Sequence, residues 1–354
     1  ETWRFDVPDP MSDVSKNFDI SEDLNDDGYA DLIIADHRLI ASAYTSKVQL
    51  HFGPLYGPPD TSSPDIELSA ESSPTRWASE GIVLSDITND GFTDVIFTNS
   101  EGDAMVIWHT LSDDSVLEDD AIILNIPGRD SRGQFAAGDI NGDGVNDLVM
   151  STATSNRLDV VEGPIEYEDD FIIADTVSYG DPVSQLGTKI TLCDLNFDGL
   201  DEIVTTSQQS STMEDDGFEL ESSAALVFDV TSSTSDPTVR LDAPTNELYG
   251  SNCLDIDGDN RPDLIVESPF NNASDSITES GAAYLFFGPI SGVIELTDAD
   301  QSFRGSAPNH YLGSYTTAGD FDGDGHRELV ISKAFIGVFF FNTEPWLSEN
   351  WTSD

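Results

Sequence analysis

The stretch Asp139–Ser151, DINGDGVNDLVMS, places acidic, amide and glycine residues in nine positions, and an apolar run follows directly. Side-chain oxygens stand at positions 1, 3, 5 and 9, and position 7 offers only a backbone carbonyl. The run that follows is typical of a buried strand. The nine residues therefore indicate either a polar turn between strands or a metal-binding loop, and their recurrence along the chain decides between the two.

The pattern recurs six times, and the spacing between successive copies predicts a repeat architecture. The copies begin 53 to 65 residues apart, which indicates one supersecondary unit per repeat. In each repeat a short strand A precedes the loop, and strands B, C and D follow it. In the fifth repeat we expect strand D at 293–297. Strand B is a continuous apolar run, as expected for a strand buried on both faces. The copies begin at Asp23, Asp86, Asp139, Asp194, Asp255 and Asp320.

The ends of the chain complete the predicted fold. The sixth repeat lacks a strand D, and residues 1–10 precede the first strand A as each other strand D precedes the next repeat. We expect this N-terminal strand to pair in the last blade and close a ring, which leaves only short protected edges. The predicted fold is all-β: a six-bladed β-propeller of four-stranded antiparallel blades, forming a single domain over residues 1–354. A linear solenoid would leave both ends uncapped.

The composition of the loops predicts calcium. Ca²⁺ takes about 6–8 oxygen ligands, and carboxylates at positions 1, 5 and 9 would repel one another without a cation. All six loops carry acids there, which a plain turn does not need. Position 6 needs positive φ, which suits Gly and, in the fifth loop, Asn260.

We therefore expect about six structural Ca²⁺ ions. The predicted loops span 23–31, 86–94, 139–147, 194–202, 255–263 and 320–328. The predicted ligands, through the side chain or the position 7 carbonyl, are Asp23, Asn25, Asp27, Tyr29, Asp31, Asp86, Thr88, Asp90, Phe92, Asp94, Asp139, Asn141, Asp143, Val145, Asp147, Asp194, Asn196, Asp198, Leu200, Glu202, Asp255, Asp257, Asp259, Arg261, Asp263, Asp320, Asp322, Asp324, His326 and Glu328.

Other metal sites fit the loops less well. An EF-hand needs a bidentate Glu at position 12, where this chain has apolar residues such as Ile34, Met150 and Ile331. Mg²⁺ prefers to keep several waters. Zinc and catalytic transition metals prefer His or Cys at ligand spacing, which the loops lack. Thr88 at position 3 marks the second loop as the weakest site.

The charge of the chain excludes several classes of partner. The 68 acidic residues outnumber the 14 Lys and Arg, which gives a net charge of −54. Such a chain repels nucleic-acid phosphates and anionic membrane surfaces. Its apolar runs also fall short of the roughly 18 residues of a membrane span. We therefore expect neither a nucleic-acid partner nor membrane insertion.

Two repeats, QLGTKITLCDLNFDGLDEIVTT (185–206) and YLGSYTTAGDFDGDGHRELVIS (311–332), resemble the FG-GAP repeat of integrin α-subunit propellers and their bacterial relatives. The resemblance covers essentially the whole chain. It implies Ca²⁺ in the loop between strands A and B of each blade, and an extracellular, cell-surface or periplasmic location. Integrin α heads resemble seven-bladed rings in which only some blades carry the calcium loop. This chain differs from that pattern because it has six predicted blades and each carries the calcium loop. The resemblance therefore implies no β-subunit partner.

The B–C and D–A connections should lie opposite the calcium loops. We expect the longest B–C connections at 36–46, 207–222 and 268–280. Arginine and aromatic residues concentrated in this region predict a binding face for an anionic or glycan ligand, although the arginines could equally pair with the surplus acids. The candidate ligand-binding residues are Arg76, Trp77, Arg129, Arg132 and Arg304, and Tyr249, His310 and Tyr311 lie close by in sequence.

The two cysteines precede the fourth and fifth loops. Cys193 and Cys253 have opposite parity along their strands, so they point to opposite sheet faces. A disulfide between adjacent blades and a pair of buried thiols are both consistent with this placement.

The sequence predicts the function of the protein less directly than its fold. We expect a non-catalytic adhesion or ligand-recognition module with structural Ca²⁺ and an unknown protein or glycan ligand. The alternatives are a propeller-based carbohydrate-active enzyme, a glycan-binding lectin, or a Ca²⁺-stiffened segment of a larger surface protein. The five histidines have no paired spacing, and no Ser or Cys nucleophile signature appears. The fold alone does not decide among these functions.

Overall fold

The structure of the protein is a computed structural model that describes the strands of all six repeats. The described residues are 18–19, 24–25, 27, 29, 31–40, 43–54, 63–73, 77–99, 104–108, 122–125, 134–152, 157–165, 175–177, 185–212, 219–228, 238–243, 248–272, 277–319, 328–333, 336–340 and 351–353.

The first three sheets each contain four strands from one repeat, in chain order. The first sheet consists of β1 (Phe18–Asp19), β2 (Leu32–Ile40), β3 (Ala43–His51) and β4 (Ile66–Ser73). The second consists of β5 (Trp77–Ser85), β6 (Asp94–Asn99), β7 (Ala104–Trp108) and β8 (Ile122–Asn125). The third consists of β9 (Phe135–Gly138), β10 (Asp147–Thr152), β11 (Arg157–Val161) and β12 (Asp175–Val177).

The last three sheets follow the same order, and two of them gain a fifth strand. The fourth consists of β13 (Gln185–Cys193), β14 (Glu202–Thr212), β15 (Glu219–Phe228), β16 (Val239–Ala243) and β20 (Gly292–Glu295). The fifth consists of β17 (Gly250–Leu254), β18 (Asp263–Ser268), β19 (Ala282–Phe286), β21 (Gln301–Gly305) and β25 (Trp351–Ser353). The sixth consists of β22 (Leu312–Gly319), β23 (Glu328–Lys333) and β24 (Ile336–Phe340).

The all-β prediction is confirmed. The described residues form several small sheets, almost without helix. The strands described do not form a closed barrel or ring, so the six-bladed ring stays a prediction. The predicted closing strand at residues 1–10 lies outside the described residues.

Strand B of the fifth repeat shows why its sequence is apolar without alternation. All six residues of β18 are buried. Leu264 and Val266 pack into a core with the fourth sheet, whereas Ile265 packs into a different core with the sixth sheet. Because successive residues of a strand point to opposite faces, a sheet covered on both sides needs apolar residues at every position.

The first two sheets share a core of the same kind. It joins side chains from β2, β3 and β4 with side chains from β5 and β6, and Leu50, Leu68, Val95 and Phe97 are completely buried in it. Burying an aliphatic or aromatic side chain of this size contributes about 1.5–3 kcal/mol. The remaining members of this core are Ile33, Val48 and Leu84.

The predicted strand D of the fifth repeat, 293–297, is wrong. The strand β20 at this place pairs in parallel with β16 at the edge of the fourth sheet, and Leu296–Asp298 forms a short 3-10 helix. Strand β21 takes the predicted place beside β19. Both β20 and β21 have strand-like composition, and β20 pairs with the open edge of the fourth sheet. Sequence pattern alone does not show which edge a strand will join.

The predicted long connections at 36–46 and 207–222 are also wrong. Strands β2 and β3 pair as far as Ile40 and Ala43, so only two residues join them. Strands β14 and β15 extend into the second range and pair as far as Thr212 and Glu219. These segments are largely polar, so composition did not distinguish them from loops, although their Thr residues favour strands.

The chain divides into two compact units. Unit 1 comprises 1–137, 145–148 and 160–175, and unit 2 comprises 138–144, 149–159 and 176–354. The predicted single domain stays a prediction. Among the described residues there is no helix of the length and apolarity required to cross a membrane.

A disulfide joins strands β13 and β17 within unit 2. Cys193 and Cys253 are bonded, with their Cα atoms 6.2 Å apart and a sequence separation of 60. The structure therefore selects the disulfide over the two buried thiols. It links strand A of the fourth repeat to strand A of the fifth, as the parity of the two positions suggested.

Candidate metal centre

Each predicted calcium loop joins the first two strands of its sheet. The second to fifth loops, 86–94, 139–147, 194–202 and 255–263, are described throughout. In the first loop Asp23 lies outside the described residues. In the sixth loop Glu328 begins β23, and the remaining predicted ligands lie outside the described residues: Asp320, Asp322, Asp324 and His326.

The side chains at positions 3 and 5 shape the loop by accepting backbone hydrogen bonds. In the fifth loop Asp257 Oδ1 accepts the Asp259 N–H at 3.1 Å, and Asp259 Oδ1 accepts the Arg261 N–H at 2.9 Å. These local bonds compete with regular structure and favour a tight turn. Equivalent acceptor–donor pairs are Asn25–Asp27, Asn141–Asp143, Asn196–Asp198, Asp27–Tyr29, Asp90–Phe92 and Asp198–Leu200.

Position 6 turns with positive φ, as predicted. The φ values are +89° at Gly91, +84° at Gly144, +90° at Gly199 and +65° at Asn260. In each loop the N–H of this residue donates to the position 1 carboxylate at 2.9–3.0 Å. Asn260 thus preserves the turn in the fifth loop without glycine.

Position 4 is a second left-handed position that sequence reasoning missed. Its φ is +55° at Asn89, +79° at Gly142, +63° at Phe197 and +78° at Gly258. The signal was present in the sequence, because Gly, Asn or Asp occupies position 4 in five of the six loops. Phe197 is the exception, and its ring lies 5.1 Å from the guanidinium of Arg261 in the next loop.

The acid at position 9 is buried in all five loops where it is described. In the fifth loop Asp263 Oδ2 accepts the Ile256 N–H at 2.8 Å, and Oδ1 accepts the Gly288 N–H at 3.0 Å. The Gly288 donor belongs to the Gly-Pro pair at the end of strand C. The equivalent Gly-Pro donors bond Asp31 at 2.8 Å and Asp147 at 2.9 Å. The buried position 9 acids are Asp31, Asp94, Asp147, Glu202 and Asp263.

Burial raises the pKa of three of these acids. The pKa of Asp94 and of Asp263 rises to about 6, and that of Glu202 to about 7. The backbone N–H donors oppose the shift at each site, and at Glu202 the carboxylates of Asp198 and Asp194 add to it. Desolvation disfavours the charged form, so a bound cation would relieve an electrostatic cost that the loop otherwise bears.

The fifth loop brings together the best-defined set of oxygen ligands. One carboxylate oxygen each from Asp255, Asp257 and Asp263 lies within 4.8 Å of the others. Burial, and after it the carboxylates of Asp259 and Asp255, raises the pKa of Asp257. Hard oxygen donors at this spacing fit Ca²⁺.

The second loop also fits a cation, although its position 3 residue is Thr88. Asp94 is fully buried, and its Oδ2 accepts the Ile87 and Thr88 N–H groups, both at 3.0 Å. Its Oδ1 is buried and has no hydrogen-bond partner among the described residues. A buried carboxylate oxygen is costly to leave unpaired, and a cation in the loop would satisfy it.

The second and fourth loops each accept a backbone hydrogen bond from the next repeat. The Ile165 N–H donates to the Ile87 carbonyl at 2.9 Å, and the Ile290 N–H donates to the Leu195 carbonyl at 3.4 Å. In both pairs the donor follows a Gly-Pro pair and the acceptor occupies position 2 of the preceding loop. Backbone hydrogen bonds therefore connect neighbouring repeats within each unit.

Asp201, at position 8 of the fourth loop, is an acid that sequence reasoning missed. Its N–H donates to the Asp139 carbonyl at 3.0 Å. A Cβ at Gly138 would lie 2.3 Å from its carboxylate, so the glycine makes room for it. Burial and then the Asp194 carboxylate raise the pKa of Asp201 to about 6. The only signal was an acid at a position where the other loops have none.

The predicted ligand-binding residues are only partly described. Arg76, Arg129 and Arg132 lie outside the described residues, and Trp77 begins β5. Arg304 lies inside β21 rather than in a connection, and its guanidinium is 5.5 Å from the ring centre of Tyr284. Their role in binding stays a prediction.

Neither the scan against protein-family models nor the search of curated proteins finds a match.

Proposed function

We propose that the chain is a calcium-stabilised, integrin-like propeller that acts as a non-catalytic adhesion or ligand-recognition module. The observation that carries the proposal is the repeated loop. Four described loops share the position 6 turn, and five share a buried position 9 acid. Because the loops are built in the same way, they indicate that one kind of ligand binds in each of them, rather than six different ligands.

The arrangement of the sheets supports the propeller architecture. Each sheet is built mainly from the strands of one repeat, and neighbouring sheets share cores within each unit. Six such sheets would close into a ring if residues 1–10 supplied the fourth strand of the sixth sheet, beside β24. Closure would remove the two exposed end faces of the array.

Calcium has a structural role in this proposal. The ion would be held by the acids and amides at positions 1, 3, 5 and 9 together with the position 7 carbonyl. When bound, it supplies positive charge among carboxylates whose pKa is raised by burial. A site with free Ca²⁺ at about 100 times its Kd would add about 2.7 kcal/mol to the stability of the fold.

Thermal unfolding with and without calcium tests this role. We expect EDTA to lower the melting temperature by more than about 10 °C, because several sites contribute together. Mg²⁺ should restore less stability than Ca²⁺ because it prefers to keep its waters. An identical melting temperature in Ca²⁺ and in EDTA would falsify the calcium proposal.

A recognition function requires a ligand, which we expect to be another protein or a glycan. The disulfide fits an extracellular, cell-surface or periplasmic location, where disulfides persist. Glycan and protein arrays probed in Ca²⁺ and in EDTA test the function directly. We expect specific binding in Ca²⁺ that is weakened or lost in EDTA, where the fold is less stable. Cleavage of a bound polysaccharide would favour the alternative, a carbohydrate-active enzyme.

A further inference from the structure

Three aromatic rings meet at the end of the fifth sheet opposite its calcium loop. The centre of the Phe270 ring is 6.1 Å from that of Tyr249 and 6.1 Å from that of Tyr311, and both pairs are edge to face. Tyr249 is 39% exposed and Phe270 is 42% exposed. Single exposed apolar residues need no explanation, but a group of contacting rings is a surface suited to a ligand.

The backbone under these rings is held in an unfavourable conformation. Glu279, Asn309 and Tyr311 have φ values of +52°, +60° and +48°. Residues other than glycine adopt positive φ rarely, and such strain concentrates at functional sites. Two hydrogen bonds stabilise it: the Asn309 N–H donates to the Thr278 carbonyl and the Tyr311 N–H to the Glu279 carbonyl, both at 3.1 Å.

Close backbone packing also fixes the segment that carries Glu279. A Cβ at Gly281 would lie 2.2 Å from the Leu312 nitrogen, and a Cβ at Gly305 would lie 1.9 Å from the Ser280 oxygen. Only glycine permits these approaches. The segment therefore has little freedom to rearrange, and the aromatic cluster is preorganised.

Polar groups connect to the aromatic cluster. Tyr311 donates its hydroxyl to Glu279 Oε2 at 2.5 Å, and Asn309 Oδ1 lies 3.5 Å from the same hydroxyl. Asn272 Oδ1 accepts the Glu279 N–H at 2.8 Å, and both asparagines are exposed. The site thus combines amides, which both donate and accept hydrogen bonds, with a carboxylate acceptor.

We propose that this cluster, Tyr249, Phe270 and Tyr311 with Asn272, Glu279 and Asn309, binds an uncharged hexopyranose unit of a glycan. The apolar C–H face of such a sugar packs on aromatic rings, and its hydroxyls need both donors and acceptors. The charge of −54 disfavours an anionic sugar. An organic cation would leave the amide donors unused. The inference rests on the proposed recognition function and names the class of its ligand.

The experiment is saturation-transfer NMR in calcium-saturated buffer, with the methyl glycosides of glucose, galactose, mannose and N-acetylglucosamine. We expect at least one glycoside to bind, and Phe270→Ala to weaken that binding about tenfold, a loss of about 1.4 kcal/mol. Phe270→Tyr keeps an aromatic ring and should retain binding. Thr297→Ala alters an exposed residue of the same unit outside the cluster and should change nothing. Melting temperatures of all three variants establish that they are folded.

Three outcomes would overturn the inference. The first is that no glycoside binds, and the second is that a glycoside binds equally well to Phe270→Ala. The third is that tetramethylammonium binds in a Phe270-dependent way while no glycoside does, which would identify a cation site. Array binding that survives Phe270→Ala would reject this site but leave the recognition function standing. An unchanged melting temperature in EDTA would instead reject the calcium part of the proposed function.

Discussion

The carboxylate at position 9 differs from the other loop acids in its surroundings. Asp263 is buried and accepts two backbone hydrogen bonds from different segments, whereas Asp257 at position 3 is exposed and accepts one bond within the loop. The sequence predicted both as equal metal ligands. It could not show that one of them also fastens strand C to the loop, because the Gly288 donor is distant in sequence.

Two asparagine substitutions in the fifth loop separate these roles. Asp263→Asn places an amide N–H against a backbone donor, so we expect it to cost about 1–3 kcal/mol of unfolding free energy even in EDTA. Asp257→Asn should cost less than about 0.5 kcal/mol in EDTA, because Asn already occupies position 3 in three other loops. In Ca²⁺ both variants should gain less unfolding free energy from the ion than the wild type does, because each lacks one proposed carboxylate ligand. Urea unfolding under both conditions measures this, and equal losses in EDTA would contradict the distinction.

The buried acids also predict an unusual dependence of stability on pH in the absence of calcium. The folded-state pKa is about 6 for Asp94 and Asp263 and about 7 for Glu202, above the ordinary values of 3.8 and 4.5. Their favourable contribution is therefore fully present below the ordinary pKa and is lost as pH rises through the folded value. In EDTA the melting temperature should fall between about pH 5 and pH 7.5.

In the proposed role calcium should oppose this trend, because it would bind the ionised carboxylates and its affinity would rise with pH. Glu202→Gln removes one titrating group and should reduce the slope in EDTA. An apo protein whose stability increases from acidic to neutral pH would show that burial does not control these acids.

At the scale of elements, the sequence was informative about strands that are buried on both faces. The run beginning at Asp263 predicted β18 because every position faces a core. Strands at sheet edges were less predictable. Strand β20 was assigned to the wrong sheet because an edge partner is chosen by packing between repeats, which the pattern within one repeat does not contain.

The disulfide between β13 and β17 should stabilise the pairing of the fourth and fifth repeats. Closing a loop over a separation of 60 residues restricts the unfolded chain, and the chain-entropy model gives about 4 kcal/mol for this length. We expect the double variant Cys193→Ala, Cys253→Ala to lose about 2–4 kcal/mol in urea unfolding. Thiol titration of the denatured wild type should detect free cysteine only after reduction. Free thiols before reduction would contradict the bond.

At the scale of the whole molecule, the proposed ring depends on a strand from the N-terminal segment. The six-fold repetition was sufficient to predict six sheets, and the structure has one for each repeat. Closure was inferred only from the missing strand D of the last repeat. The long range of that pairing explains why a local pattern cannot establish it.

Hydrogen exchange after N-terminal deletion tests ring closure. Removing residues 1–10 should increase amide exchange in β24, Ile336–Phe340, because this strand would lose its partner on one side. Exchange in β15, which lies in the interior of the fourth sheet, should change little and serves as the internal control. Unchanged protection of β24 would indicate that another segment, or none, completes the sixth sheet.

The hydrogen bonds that cross from one repeat to the next determine how the protein can be divided. Ile165 and Ile290 each donate to a carbonyl in the preceding repeat. A fragment cut at the boundaries of a single sheet would therefore lose a hydrogen-bond donor on one side and an acceptor on the other. The smallest fragment that retains an intact junction spans two sequence repeats, so duplication or transplantation of blades should succeed more readily for pairs than for single units.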